Sequence, residues 1–354
     1  MDKIHFKILL TDELKYYRDK TKGFNRKPTI LFCRTDEKKL FENISAQFNI
    51  IFDKIIFEAT PKEILNAVDG KKNYFLSNNV VSDELYKNLM ATGVSEKQIY
   101  VGPTKDAYFD LYPKRNVIRE DIEKINEVYY LLEDEKSRRT FLRIITRLCL
   151  PYQYHYFYEP VEEMQYFSEK FSFGDDEIFL DAGVCDGQNI LEFIGKVGKN
   201  YKYIYGIEPD EENFKLSTKN LTGVSNLQLI KGALFSSNNE DLNFRSSKMT
   251  GRKGNARVQY DGDICVKSIS GDSLRYSPTF IKMDIEGSEK EALIGLKNTI
   301  QSNSPKLSVC IYHFQKDFWE VPLLIKKLNP EYKLLIRNHE KLFNLLESVC
   351  YAYV

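Results

Sequence analysis

An α/β protein is predicted, in which a C-terminal Rossmann-like sheet is preceded by a smaller N-terminal α/β domain and a helical connector. Three observations lead there. Short apolar runs alternate with helical patterns, as in strand–helix units that build parallel sheets. A glycine-framed turn follows an apolar run at F-L-D-A-G-V-C-D-G. Later apolar runs end on acids, notably in T-F-I-K-M-D-I-E-G-S-E-K-E-A-L, which starts at Thr279. The expected divisions are residues 1–115, 116–170 and 171–354.

The chain has 354 residues, enough for two ordinary domains. Lys+Arg and Asp+Glu both number 51. That balance lacks the basic surplus with which a nucleic-acid binder displaces counterions, so no nucleic-acid partner is expected. The six cysteines form no C-x-x-C pair and have no histidine at zinc-finger spacing. They fit buried thiols in a reducing compartment. Charges break the apolar run of M-D-K-I-H-F-K-I-L-L, and no stretch approaches the ~20 apolar residues of a membrane span. A soluble, cytoplasmic protein is expected.

In the first third, Thr29 to Cys33 and Lys54 to Ala59 read as strands, with a helix from Asp36 to Ile44 between them. P-K-E-I-L-N-A-V follows, with Pro61 suited to a first helical turn. N-Y-F-L-S, a helix ending at Gly93, and Q-I-Y-V-G complete a small parallel domain. The turn after its first strand is R-T-D-E, without the glycine that admits a phosphate, so a structural or recognition role is favoured over a ligand site. From Val117 to Leu150 apolar residues recur at three and four, giving an amphipathic helical connector. The aromatic run from Pro151 to Pro160 either lines a cleft or packs as a hinge.

In the second domain an apolar strand ends at Asp181, and Gly183 and Gly187 frame a turn holding Cys185 and Asp186. Small residues at such a turn let a ligand lie against backbone N–H groups. The spacing is not G-x-G-x-x-G, and an acid at the strand end repels phosphate but suits a cationic ligand. The next strand, Y-I-Y-G-I-E-P-D, places Glu208 and Pro209 at its end, where an acid takes ribose hydroxyls. A third strand from Leu227 to Ser236 exits through Gly232, Ala233 and Leu234, small enough at the first two positions to admit adenine. Taken together this is the layout of a class I methyltransferase binding S-adenosyl-L-methionine, with the ligand beyond the carboxyl ends of the strands.

The segments L-L-E-D-E-K-S-R-R-T-F, F-L-D-A-G-V-C-D-G, Y-G-I-E-P-D, I-K-M-D-I-E-G-S-E-K-E-A-L-I-G and I-Y-H-F-Q-K-D-F-W-E-V-P resemble the FkbM family of methyltransferases, from about Val117 onward. That resemblance implies O-methyl transfer to a sugar or glycoconjugate hydroxyl, in work such as surface polysaccharide biosynthesis. The acceptor would then be a small molecule or a nucleotide-linked or lipid-linked glycan. A nicotinamide-dependent sugar-modifying oxidoreductase and an inactive Rossmann-like interaction module are the competing readings.

A sugar hydroxyl needs a base within reach. Of His5, His155, His313 and His339, His313 follows an apolar strand and is expected near Asp284, either as the base or as a structural histidine. Asp284 either orients that imidazole or takes the proton itself, and Glu286 either holds a substrate hydroxyl or caps the next helix. Asp317 and His339 are outer candidates. No metal is expected, although Asp284, Glu286 and His313 are of the ligand types that hold a divalent ion.

Overall fold

A computed structural model describes residues 10–12, 27–48, 50–77, 80–95, 98–102, 115–149, 164–198, 200–250, 256–339 and 345–354. The aromatic run 151–160, His5 and His155 lie outside the described residues. The chain forms two compact units. One is built from Met1–Tyr129, Arg138–Glu162 and Asn338–Glu347, the other from Tyr130–Ser137, Glu163–Arg337 and Ser348–Val354. Among the described residues no helix is long and apolar enough to cross a membrane.

The first unit holds a four-stranded sheet of β1 (Thr29–Cys33), β2 (Lys54–Phe57), β3 (Asn73–Leu76) and β4 (Ile99–Val101), in the order β2-β1-β3-β4. Every pairing is parallel, as strand–helix alternation requires. The helix expected from Asp36 begins as a tighter turn, Thr35–Glu37, and continues over Lys38–Phe48. Pro61 opens the helix Pro61–Ala67. Its missing N–H costs nothing there, and Thr60 and Glu63 cap the end reciprocally.

The second unit is organised on a seven-stranded sheet. Its strands are β5 (Ile178–Ala182), β6 (Tyr203–Glu208), β7 (Leu227–Lys231), β12 (Phe280–Met283), β13 (Lys306–Cys310), β14 (Lys333–Asn338) and β15 (Ser348–Tyr353). The order is β14-β15-β13-β12-β5-β6-β7. β12, β5, β6, β7 and β13 pair in parallel, and β15 runs antiparallel to β13. From β5 the chain builds outward through β6 and β7, then returns to place β12 on the other side of β5. That reversal opens a crevice at the carboxyl ends of β5 and β12.

The strand expected from Leu227 to Ser236 is broken. Gly232 separates β7 from β8 (Ala233–Leu234), and β8 leaves the large sheet to pair with β11 (Ile264–Ile269). A Cβ at Gly232 would lie 2.7 Å from Ile269 Cδ1 and 2.8 Å from the Lys267 carbonyl, so only glycine passes this crossing. With β9 (Asp241–Arg245) and β10 (Arg257–Val258), β8 and β11 form a second sheet ordered β10-β9-β11-β8.

The Val117–Leu150 stretch is helical as expected but in three pieces, Arg115–Glu120, Ile122–Leu131 and Glu135–Cys149. Between the last two, Leu132–Asp134 runs along β14, which the first turns of the third helix also meet. Glu133 N–H donates to the Leu334 carbonyl, and the Ser137 hydroxyl accepts from Ile336 N–H. Arg337 grips Asp134 with both guanidinium nitrogens, at 3.2 and 2.7 Å. The edge strand is thereby covered.

Below the crevice lies an aromatic layer. The Phe179 and Phe280 rings, cross-strand neighbours on β5 and β12, stack at 4.9 Å, and Phe193 lies 4.6 Å from Phe179. Phe193 belongs to the helix Gln188–Val197 that leaves the glycine turn, so this layer fixes the turn to the sheet. Phe280→Ala is expected to cost about 3–5 kcal/mol, the usual range for emptying a buried aromatic site, measured by denaturant unfolding.

Candidate active site

The crevice deepens into an open cavity of about 170 Å³. Its walls come from the ends of β5, β6, β8 and β12, with Phe244, Ala256 and Val258 closing one side. Of the expected cofactor residues, Gly183, Cys185, Glu208, Pro209, Ala233 and Leu234 line it. Asp181, Asp186, Gly187 and Gly232 do not line it, although Asp181 contacts the lining residue Lys282.

The turn after β5 is shaped by three left-handed residues, Gly183 (φ 82°), Cys185 (φ 52°) and Gly187 (φ 90°). At Gly183 no side chain fits, because a Cβ would fall 1.9 Å from the Asp284 carbonyl. Gly187 begins the helix Gln188–Val197 and packs on Leu221. Asp186 turns back to accept from Gln188 N–H at 3.2 Å, a local cap. Cys185 N–H donates to Glu208 Oε2 at 2.8 Å, and Asp210 N–H to Glu208 Oε1 at 2.9 Å. Burial pushes the Glu208 carboxyl up to about 7 against those two backbone donors, with the Asp210 carboxylate adding to the rise.

Asp181 is fully buried, and the cation it was expected to want from a ligand is supplied by the protein. Lys282 Nζ lies 3.0 Å from Asp181 Oδ1. The two residues are cross-strand neighbours in β12 and β5, on the same face as the stacked Phe280 and Phe179. The ammonium also donates to the Gly183 carbonyl at 2.7 Å and lies 5.2 Å from the Tyr166 ring centroid. Burial works against the ammonium, but Asp181 and Asp284 outweigh it and hold Lys282 well above its ordinary value. Lys282 is a cavity-lining residue that the sequence analysis did not single out, and a lysine inside an otherwise apolar strand was its signal.

Asp284, Glu286 and His313 do converge. His313 Nε2 lies 3.3 Å from Asp284 Oδ1 and 3.5 Å from Glu286 Oε2, while Nδ1 lies 3.0 Å from Glu289 Oε1. Asp284 and Glu286 line the cavity, and His313 is buried behind them. Tyr166 and Tyr312 donate one hydroxyl each to the Asp284 oxygens, at 2.8 and 3.1 Å. Burial opposes ionisation of Asp284, but the His313 imidazole and Lys282 more than offset it, holding the carboxyl well below its usual range. Burial pushes Glu286 up to about 8, with Asp284 and Glu289 adding to what His313 opposes. Burial also disfavours the charged imidazole, yet the carboxylates around it hold His313 well above its usual value.

No side chain caps the following helix: Glu286 faces the cavity, and Glu289 accepts from Ile285 N–H at 3.0 Å. Glu286 holds this position in a left-handed conformation (φ 56°), which a non-glycine residue adopts at a cost of ~1–3 kcal/mol. Asp317 accepts from Phe314 N–H at 3.0 Å and takes no part in lining the cavity, and Trp319 is in the core. His339 lies outside the unit that carries this cavity: its N–H donates to the Glu347 carbonyl. Glu289, Tyr166 and Tyr312 were not legible as site residues, since only the fold brings the tyrosines to Asp284.

A seven-stranded sheet of this order, with its cavity beside a glycine turn and a strand-end acid, defines a class I methyltransferase fold. Residues 181–351 match the model of the Methyltransferase FkbM domain. The crystal structure of Methyltransferase FkbM from Methylobacillus flagellatus KT shares the fold, with a TM-score of 0.67 at 18% identity, over 99% of this chain and 100% of that one. The N-terminal unit, which the sequence left without a relative, is thus part of a shared fold. Hexuronic acid methyltransferase AglP of Haloferax volcanii is 31% identical over 133 residues, 36% of this chain. The match spans about half, 53%, of that curated relative's length.

The buried ion pair makes a direct prediction. Lys282→Met strands a buried carboxylate and is expected to cost about 3–5 kcal/mol in denaturant unfolding. The double variant Lys282→Met/Asp181→Leu, which removes both charges, is expected to recover most of that loss.

Proposed function

We propose that this protein is an S-adenosylmethionine-dependent O-methyltransferase acting on a hydroxyl of a sugar or sugar acid. The observation that carries the reading is the cavity at the carboxyl ends of β5, β6 and β12, with Glu208 on one wall and Asp284 and Glu286 on another. The residues suit the donor. Glu208, fixed by two backbone N–H groups, keeps lone pairs for a ribose diol, and Pro209, Ala233 and Leu234 offer a slot for a flat ring. The AglP likeness supports a hexuronic acid, free or carried on a nucleotide or lipid, as the acceptor class. A role in surface polysaccharide assembly fits that class.

When bound, S-adenosylmethionine supplies an electrophilic methyl group, and the C–S bonding pair stays on sulfur as the methyl leaves. The protein's task is to align an acceptor oxygen behind that carbon and to take its proton. Asp284 and Glu286 face the cavity and can hold the acceptor hydroxyl; the surrounding carboxylates make the His313 imidazole a stronger base, and its uncharged form receives the proton. Holding the reacting atoms in line is worth up to ~7–11 kcal/mol, and a positioned base typically adds ~10²–10⁴-fold.

Incubation with labelled S-adenosylmethionine and a panel of nucleotide-linked hexuronic acids and neutral sugars is expected to label a hexuronate. A panel that stays unlabelled, from protein that binds the donor, would remove the acceptor assignment. Glu208→Ala is expected to weaken S-adenosylhomocysteine binding at least tenfold by calorimetry. His313→Ala is expected to cut turnover ~10²-fold or more while leaving that affinity nearly unchanged.

The donor affinity should also depend on pH. Because burial raises the folded Glu208 carboxyl to about 7, the ionised form that accepts ribose hydroxyls fills only as pH rises through that value. S-adenosylhomocysteine binding is expected to tighten from pH 6 to 8, by no more than tenfold per unit, then level off. Glu208→Gln should flatten this dependence.

A further inference from the structure

We propose that Asp284, Glu286 and His313 bind a divalent cation of the Mg²⁺/Mn²⁺ class, with Glu289 holding the imidazole from behind. The three side chains each offer a ligand atom, and these atoms all lie within 4.8 Å of one another. The separations suit one shared ion. Ligands ~2.1 Å from an octahedral metal stand about 3 Å apart at adjacent positions, and His313 Nε2 lies 3.3 Å from Asp284 Oδ1 and 3.5 Å from Glu286 Oε2.

The imidazole is the independent sign. Its side chain is only 5% exposed, and neither ring nitrogen makes a well-formed hydrogen bond, although Nε2 is aimed between two carboxylates at 3.3 and 3.5 Å. A buried ring nitrogen left so is a costly arrangement unless something is shared among the three groups. The side chains behind the cluster are those that orient metal ligands. Nδ1 lies 3.0 Å from Glu289 Oε1, a carboxylate placed to hold the ring proton on that nitrogen once Nε2 gives up its own to a metal. Tyr166 and Tyr312 hold the two Asp284 oxygens.

Charge points the same way. Three acidic side chains surround a single imidazole, and the nearby Lys282 ammonium is committed to Asp181 and the Gly183 carbonyl. A dication would offset that excess. Entry is from the cavity, which Asp284 and Glu286 line, so the remaining coordination positions face the acceptor end. The consequence for chemistry rests on the proposed function: an acceptor hydroxyl on the cation would have its pKa lowered and its oxygen fixed in place. Binding of the ion does not depend on that function.

The test is Mn²⁺ binding, read by loss of the free-ion electron paramagnetic resonance signal, on full-length protein freed of metal with chelator. One Mn²⁺ per chain is expected, displaced by excess Mg²⁺. Glu286→Gln and His313→Ala are expected to weaken binding at least 100-fold, and Glu289→Gln by ~10–100-fold, as for residues that orient a ligand. Circular dichroism of each variant checks that it folds. No binding up to millimolar Mn²⁺, or binding that survives both Glu286→Gln and His313→Ala, would overturn the site and leave an imidazolium ion-paired with carboxylates. S-adenosylhomocysteine titrated into the same metal-free protein separates the two readings. Donor binding without Mn²⁺ binding defeats only the metal site, whereas Mn²⁺ binding without donor binding defeats only the proposed function.

Discussion

The pairing of Lys282 with Asp181 is the constraint on which the rest of the site depends. It joins the two central strands where the sheet reverses direction, and the same ammonium holds the carbonyl of Gly183. The glycine turn on one strand and the acid cluster on the next are therefore referenced to one atom. Two opposite charges without solvent contact are a poor source of net stability, since desolvation consumes most of their attraction. Their value is positional: Asp181 admits only a cation opposite it, and Lys282 cannot leave without stranding a carboxylate.

From that point the geometry follows in steps. The stacked Phe179 and Phe280 rings lie one pleat below the ion pair, and Phe193 ties the outgoing helix to them. One pleat above, β12 ends at Asp284, whose carbonyl presses on Gly183 so closely that no side chain fits between them. Glu286 then takes a left-handed turn toward the cavity, while Glu289, at the start of the helix Glu289–Gly295, reaches back to His313. Apolar layer, ion pair and acid cluster thus stack in order along the two strands.

Much of this was legible in the sequence because it rests on period and punctuation. Parallel strands buried on both faces read as apolar runs, and the turns at Gly183 and Gly187 announced themselves by residue type. Asp284 and His313 were placed together by a simple rule, that both follow strands of one sheet and so reach the same rim. What could not be read was register. That Lys282 stands beside Asp181 depends on how β12 is aligned with β5, and nothing local to either strand states it. The break at Gly232 was hidden for a related reason: the clash that demands glycine comes from Ile269 and Lys267, far along the chain. Glu289 looked like one more charge in a helix until the fold set His313 beside it.

The departure of β8 from the large sheet has a further result. Phe244, Ala256 and Val258 border the cavity, and Phe244 sits in its own small apolar cluster with Ala233 and Val266, apart from the aromatic layer. One wall of the chamber therefore belongs to a hairpin whose packing is separate from that of the central strands. Substitution on that wall can reshape the chamber while the charged centre stays as it is, so a lineage could explore new acceptors there without rebuilding the machinery beneath.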